Sequence, residues 1–133
     1  MKKKRKIIII GSRSRDTSED FKLVYDEFKK WYSDGDLIIS GGCRKGGDRF
    51  AEIIASRLGM TEENGQLIIH RPKKPSKDSP KYIWAKAFYD RNTVVAKEAE
   101  DNTVTIACIS KTKTGGGTGD TLSKITEGFI VKV

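Results

Sequence analysis

Three loops of the sequence combine glycine with cationic or hydroxyl side chains. They are GSRSR (11–15), SGGCRKGGDR (40–49) and TKTGGGTGD (112–120). Glycine lets backbone N–H groups approach an anion closely, and a helix that begins after such a loop adds unpaired N–H donors and a positive dipole end. Arg13 and Arg44 add charge-assisted contacts to a phosphate, and Thr118 adds a hydroxyl donor. The three loops together predict a phosphate-binding site.

None of these loops matches an established nucleotide motif by itself. The sequence contains neither the GxxxxGK[ST] pattern of P-loops nor the GxGxxG pattern of dinucleotide-binding folds. Each loop alone also fits an ordinary turn at the start of a helix. The prediction of an anion site therefore depends on whether the folded chain brings the loops together.

Two carboxylates in these loops are candidates for catalysis, Asp48 and Asp120. Asp48 lies one turn into a predicted helix, where the helix dipole stabilises a carboxylate, so a capping role and a ligand contact are both open. His70 has no partner motif and is predicted to be structural, and Cys43 is predicted to be a small packing residue. Cys43 and Cys108 are far apart, so we expect neither a disulfide nor a metal site.

The composition predicts one soluble, strongly basic domain. The chain has 133 residues, of which 33% are charged, and a net charge of +8. This length fits a single domain spanning 1–133, and the charge favours polyanionic partners. Residues 1–5 are predicted to be a basic lead-in. The apolar run that follows at 7–10 is too short for a secretion signal or a membrane segment, so we expect a cytoplasmic protein without a membrane partner.

Strand and helix patterns alternate along the chain. Apolar residues recur at spacings of three and four between the strands and predict helices, including one from Tyr82 to Ala99 with Trp84 and Phe88 facing inward. The first helix is expected to begin at Asp16 or Thr17 in a capping box. A short last helix is predicted from TLSKITEG (121–128). Short apolar runs predict strands at 6–10, 37–40, 66–70, 103–110 and 129–133.

This alternation predicts the α/β class, with a three-layer Rossmann-like sandwich. We expect a mainly parallel sheet of about five strands, with helices on both faces. In such sheets, ligands bind beyond the carboxyl ends of the strands, near the point where the strand order reverses. Each of the three glycine loops follows a predicted strand. A central first strand would bring all three to one crevice.

Four segments of the chain carry a resemblance to a known family: IIIIGSR, IISGGCRKGGDRFAEIIA, YDRNTVVAKEA and GGGTGDTLSKI. In this order they resemble the SLOG superfamily, the Rossmann-like group that includes the LOG enzymes and DprA. The resemblance is greatest to its small stand-alone YspA/YpsA-like branch and covers residues 6–126. It implies a nucleotide or nucleotide-derived phosphorylated ligand in the crevice.

The resemblance also implies which residues contact the ligand. They are Gly11, Ser12, Arg13, Ser40, Gly41, Gly42, Asp48, Arg91, Asn92, Gly116, Gly117 and Thr118. Arg44 and Gly115 join this set as phosphate contacts predicted from the loops. The LOG enzymes, which cleave a ribose-phosphate from a nucleotide, carry Pro-Gly-Gly-x-Gly-Thr followed by glutamates. Here Lys113 and Thr114 replace the proline and the first glycine, and Asp120 and Thr121 stand in place of the glutamates.

Three functions are therefore open. The first is a sensor or binding protein for the nucleotide ligand. The second is a LOG-like enzyme that hydrolyses an N-glycosidic or phosphoribosyl bond. The third is DprA-like nucleic-acid binding, which the net charge of +8 also favours. No cofactor is expected for any of them, and the resemblance implies a homo-oligomer formed through helices near the crevice.

Overall fold

The computed structural model describes residues 4–110 and 116–133, in which strands and helices alternate. Its elements are β1 (Lys6–Gly11), α1 (Ser18–Trp31), β2 (Leu37–Ser40), α2 (Gly47–Arg57), β3 (Leu67–Ile69), α3 (Lys81–Lys97), β4 (Val104–Cys108), α4 (Gly116–Lys124) and β5 (Phe129–Lys132). The five strands form one sheet in the order β3-β2-β1-β4-β5, and every neighbouring pair is parallel. The predicted α/β fold is confirmed.

The run of four isoleucines at 7–10 forms the centre of this sheet. Successive side chains of a strand point to opposite faces, so the run divides between two cores. Ile7 and Ile9 pack with residues of α1 and α2, whereas Ile8 and Ile10 pack with residues of α3 and α4. All four are buried, as expected for a central parallel strand covered on both faces. The predicted three layers follow from this division.

The first helix begins where the sequence predicts. Thr17 is its N-cap, and the Asp20 backbone N–H donates to Thr17 Oγ1 at 3.1 Å. In return, the Thr17 backbone N–H donates to Asp20 Oδ2 at 3.2 Å. This capping box satisfies two backbone donors that have no partner within the helix. In the helix that begins there, Val24 and Phe28 are buried in the core on one face of the sheet.

Two predictions about the helices are wrong. The last helix begins at Gly116 and not near residue 121, so part of the third glycine loop is helical. Contacts with α3 compensate for the poor helix propensity of glycine there, because α3 and α4 pack closely together. Trp84 and Phe88 are only half-buried and belong to neither core cluster. They lie in the first half of α3, whereas its buried residues Asn92, Val95 and Ala96 lie in the second half.

The strand order fixes where a crevice opens. The chain leaves β1 through α1 on one face of the sheet and leaves β4 through α4 on the other. Because the connections that follow these two paired strands run to opposite faces of the sheet, a crevice opens beyond their carboxyl ends. In the described ranges, no helix is long and apolar enough to cross a membrane.

Candidate functional site

A cavity of about 460 Å³ lies at this point, between the carboxyl ends of β1 and β4 and one side of α3. Its walls come from the loop after β1, the turn after β2, the middle of α3 and the first turn of α4. Nine of the residues predicted as ligand contacts line it. They are Gly11, Ser12, Arg13, Gly41, Asp48, Arg91, Asn92, Gly117 and Thr118.

Three other predicted contacts, Ser40, Gly42 and Arg44, are not among the described residues that line the cavity. Ser40 is fully buried beside it, where its hydroxyl donates to the Asp48 carbonyl at 3.2 Å and accepts from the Gly42 N–H at 3.1 Å. Arg44 is exposed and lies away from the cavity, as does Gly42. Gly116 begins α4, and Gly115 lies outside the described residues. Ser40 is therefore a structural residue of the turn.

The glycines of the turn after β2 allow segments of the chain to approach one another. A Cβ on Gly47 would overlap the backbone of Ile10 and Gly11, so the start of α2 lies directly against the end of β1. Gly46 has φ +74°, and a Cβ there would overlap the Ser12 carbonyl. The Gly46 N–H donates to Asp16 Oδ1 at 2.8 Å. These two glycines thus join the first two loops and do not contact the cavity.

Asp48 and Arg91 form a buried pair in the wall of the cavity. Asp48 Oδ2 accepts from the Cys43 backbone N–H at 3.0 Å and lies 3.9 Å from Arg91 Nη1. Arg91 Nη1 also donates to the Gly41 carbonyl. Burial raises the pKa of Asp48 above its ordinary value of 3.8, and the nearby Arg91 opposes this effect without cancelling it. The cavity therefore contains a carboxyl group whose proton is held more tightly than usual.

Asn92 connects this pair to α4. Its Oδ1 accepts from Arg91 Nε at 3.0 Å, and its Nδ2 donates to the Gly117 carbonyl and to Asp120 Oδ2, both at 3.2 Å. Asp120 also forms an ion pair with Lys124 at 2.9 Å and does not line the cavity. Of the two candidate catalytic carboxylates, only Asp48 faces the space.

Arg13 is a cation that can meet a ligand in the cavity. Its guanidinium lies 5.8 Å from the ring centroid of Phe88, an arrangement typical of a cation–π contact. Its side chain is exposed, and no carboxylate lies within ion-pair distance of it in the part of the chain that the structure describes. The first turn of α4, including Gly117 and Thr118, borders the same cavity. A phosphate there would meet a guanidinium and the positive end of a helix dipole.

Sequence reasoning missed part of the α3 wall and did not include Cys43 among the residues of the cavity. Ala85, Phe88 and Tyr89 line the cavity, and with Asn92 they form one face of the helix. Their spacing of three and four is a signal that the sequence carries, but of these residues only Phe88 belongs to the face predicted to point inward. Cys43, predicted to be a packing residue, also lines the cavity.

His70 lies outside the cavity, and its Nε2 is 2.7 Å from Glu98 Oε2. Glu98 also pairs with Lys6, the first residue of β1, at 3.1 Å, so this histidine belongs to a cluster of ion pairs outside the cavity. No group of three or more His, Cys, Asp or Glu side chains in residues 4–110 and 116–133 is arranged to hold a metal ion.

Comparisons with known proteins identify no relative. No protein-family model, no curated protein and no solved structure matches this chain. Any functional interpretation therefore rests on the residues of the cavity and on the motifs described above.

Proposed function

We propose that this protein binds a nucleotide or nucleotide-derived phosphorylated small molecule in the cavity, as a sensor or binding protein of the SLOG type. One observation carries the proposal: Arg13, Arg91, Asp48 and the first turn of α4 border a single cavity at the point where the strand order reverses. The volume of about 460 Å³ falls in the range typical of small-molecule sites.

The charges of the cavity indicate how such a ligand would lie. Phosphate oxygens favour Arg13 and the N–H groups at the start of α4, because both supply positive charge. Asp48 repels a phosphate when it is ionised, so it favours a part of the ligand that donates hydrogen bonds. In a nucleotide these donors are the ribose hydroxyls, which carboxylates near the end of a second strand bind in other Rossmann-like folds.

The apolar part of the cavity suits the remainder of a nucleotide. Ile10 and Val95 form a buried floor, and Phe88 and Tyr89 add two aromatic rings from α3. A base packed against these side chains would exclude water from the polar contacts and so strengthen them. This division into an apolar end and a charged end distinguishes the cavity from a site for a bare anion.

Hydrolysis of the same ligand is a second candidate function, which the position of Asp48 favours. A buried carboxyl group with a raised pKa is a suitable general acid for breaking an N-glycosidic or phosphoribosyl bond. Asp120 is less suitable, because its carboxylate already accepts a hydrogen bond from Asn92 and forms an ion pair with Lys124. DprA-like nucleic-acid binding, a cytoplasmic location and a homo-oligomer remain expectations drawn from the sequence.

Ligand-induced thermal stabilisation tests the binding function. We expect a nucleoside phosphate, a cyclic nucleotide or an ADP-ribose derivative to raise the Tm, because a ligand that binds only the folded state stabilises it. The matching nucleosides without phosphate are the controls and should have little effect. Failure of every phosphorylated ligand to shift the Tm of well-folded protein would rule out the proposal.

The hydrolytic candidate is tested by chromatography of the stabilising ligand after incubation with the protein. Released base or ribose-phosphate would show turnover. Asp48→Asn should abolish it, and Asp120→Asn should retain it. Turnover that survives Asp48→Asn would refute the role of Asp48, and an intact ligand would leave binding as the sole activity of the site.

A further inference from the structure

A second concavity of about 400 Å³ lies along α3, between this helix and the loop 71–75 that follows β3. It is separate from the cavity described above, although Arg91 borders both. Its floor is aliphatic and comes from Pro75, Ile83, Ala87 and Val94. We call this concavity the basic groove, because lysine and arginine side chains form its rim.

The rim has a surplus of positive charge. Arg71 is paired with Glu62 through two hydrogen bonds of 2.9 and 3.1 Å, and Lys86 is paired with Asp90 at 2.8 Å. Lys73 and Lys74 are exposed, and neither has a carboxylate partner in residues 4–110 and 116–133. These two lysines are therefore available to an acidic group from outside the chain.

The floor exposes apolar surface that no described element covers. Val94 is 45% exposed although it lies within α3. Ile83, Ala87 and Val94 follow one side of the helix, and from 83 to 94 they span roughly 16 Å at 1.5 Å per residue. An apolar stripe of this length, bordered by cations, is complementary to a segment with aliphatic side chains flanked by carboxylates.

We propose that the basic groove binds an acidic amphipathic segment of a partner protein. The partner's aliphatic side chains pack on Ile83, Ala87 and Val94, and its carboxylates pair with Lys73 and Lys74. Burial of the apolar stripe supplies affinity, and the two lysines orient the segment and accelerate its association. This inference is independent of the nucleotide ligand proposed for the cavity.

Two other occupants fit the groove less well. Single-stranded nucleic acid binds largely by stacking its bases on aromatic rings, and no aromatic side chain lines the groove in the described residues. A second copy of the chain would carry the same net charge of +8, so its approach to a cationic rim is electrostatically unfavourable.

Fluorescence anisotropy with a labelled synthetic peptide tests this proposal. The probe has leucines at helical spacing and glutamates on both sides of them. We expect saturable binding that the double variant Lys73→Glu/Lys74→Glu weakens at least about tenfold, because attraction becomes repulsion at two positions. Val94→Glu should weaken binding to a similar extent by placing a charge in the apolar floor.

Three controls make the result specific. The double variant Lys22→Glu/Lys132→Glu changes the net charge by the same amount at exposed positions away from the groove and should bind the peptide like the wild type. A scrambled peptide of identical composition should bind at least about tenfold more weakly. Equal binding of the scrambled peptide, unchanged binding by the groove variants, or displacement of the peptide by oligothymidylate would overturn the proposal.

Discussion

Arg91 Nη1 lies 3.9 Å from Asp48 Oδ2, and both side chains are almost entirely buried in the wall of the cavity. Despite this opposite charge, burial keeps the pKa of Asp48 above its ordinary value, because removal from water penalises the carboxylate more than Arg91 stabilises it. The pair therefore places a carboxyl group whose pKa is raised next to a fixed positive charge. It also makes stability depend on pH in a direction that can be measured.

The stability contributed by protonated Asp48 should be lost as pH rises. A carboxyl group whose pKa is higher in the folded than in the unfolded chain stabilises the fold below the unfolded value, and this contribution disappears as pH passes the folded value. The amide introduced by Asp48→Asn cannot ionise but retains an oxygen that accepts from the Cys43 N–H. We therefore expect wild-type protein to lose stability relative to Asp48→Asn as pH rises from below 3.8 towards neutrality.

Urea unfolding of the two proteins across this range measures the difference. The free energy of unfolding of the wild type minus that of Asp48→Asn should fall with rising pH and then level off. A difference that rises with pH would mean that Arg91 outweighs burial and that the pKa of Asp48 is lowered.

Arg13 and Arg44 should differ sharply in their effect on ligand binding. Arg13 lines the cavity with no carboxylate within ion-pair distance in the described residues, whereas Arg44 is exposed and does not line it. We expect Arg13→Ala to weaken binding of the stabilising nucleotide by roughly tenfold or more, because it removes a charge-assisted phosphate contact. Arg44→Ala should change affinity less than about twofold at constant ionic strength.

Isothermal titration calorimetry of both variants checks this prediction, with unfolding curves to confirm that each variant is folded. Equal losses in the two variants would indicate a general electrostatic attraction and not a phosphate contact in the cavity.

Two glycines in helical segments should respond in opposite ways to substitution by alanine. A Cβ on Gly47 would overlap the end of β1, so Gly47→Ala must displace α2 and should cost about 3 kcal/mol or more. At Gly119 in α4, no atom lies within 4 Å of an added Cβ. Gly119→Ala should therefore stabilise the protein by about 0.5–1 kcal/mol through helix propensity.

Denaturant unfolding of the two variants measures both changes. Tolerance of Gly47→Ala without loss of stability would contradict the direct contact between α2 and β1.

The capping box of α1 offers a smaller and well-defined effect. Thr17→Ala removes the hydroxyl that accepts from the Asp20 N–H, and it should destabilise the protein by about 1 kcal/mol. Ser18→Ala is the matched control, because Ser18 is exposed at the next position of the chain, and it should change stability by less than about 0.5 kcal/mol. Thermal unfolding followed by circular dichroism checks both values.

The fold was predictable because its local signals agree with its tertiary structure. The isoleucine run at 7–10 could only be a strand covered on both faces, and Thr17 with Asp20 marked a helix start. The start of α4 was not predictable in this way. Glycine disfavours helix, and the contacts with α3 that override this preference join residues far apart in sequence.

The candidate site was predictable in its location but not in the role of each residue. Gly46 and Gly47 have the composition of an anion-binding turn, yet they allow α2 to lie against β1. Phe88 has the spacing of a core residue, yet it lines the cavity and belongs to neither core cluster. Composition and periodicity do not distinguish a side chain that meets another segment from one that meets a ligand.

The position of the cavity beyond the carboxyl ends of β1 and β4 has a consequence for the kinetics of folding. The Ser110 N–H donates to Ser12 Oγ at 3.0 Å across 98 residues of sequence, so this edge of the site forms only when distant parts of the chain have met. Such non-local contacts form slowly, because closing a long loop costs conformational entropy before the contact contributes any stabilising energy. A partly folded chain therefore has no complete site for a ligand. Ligand should slow unfolding without accelerating refolding, so occupancy of the cavity would report that folding is complete.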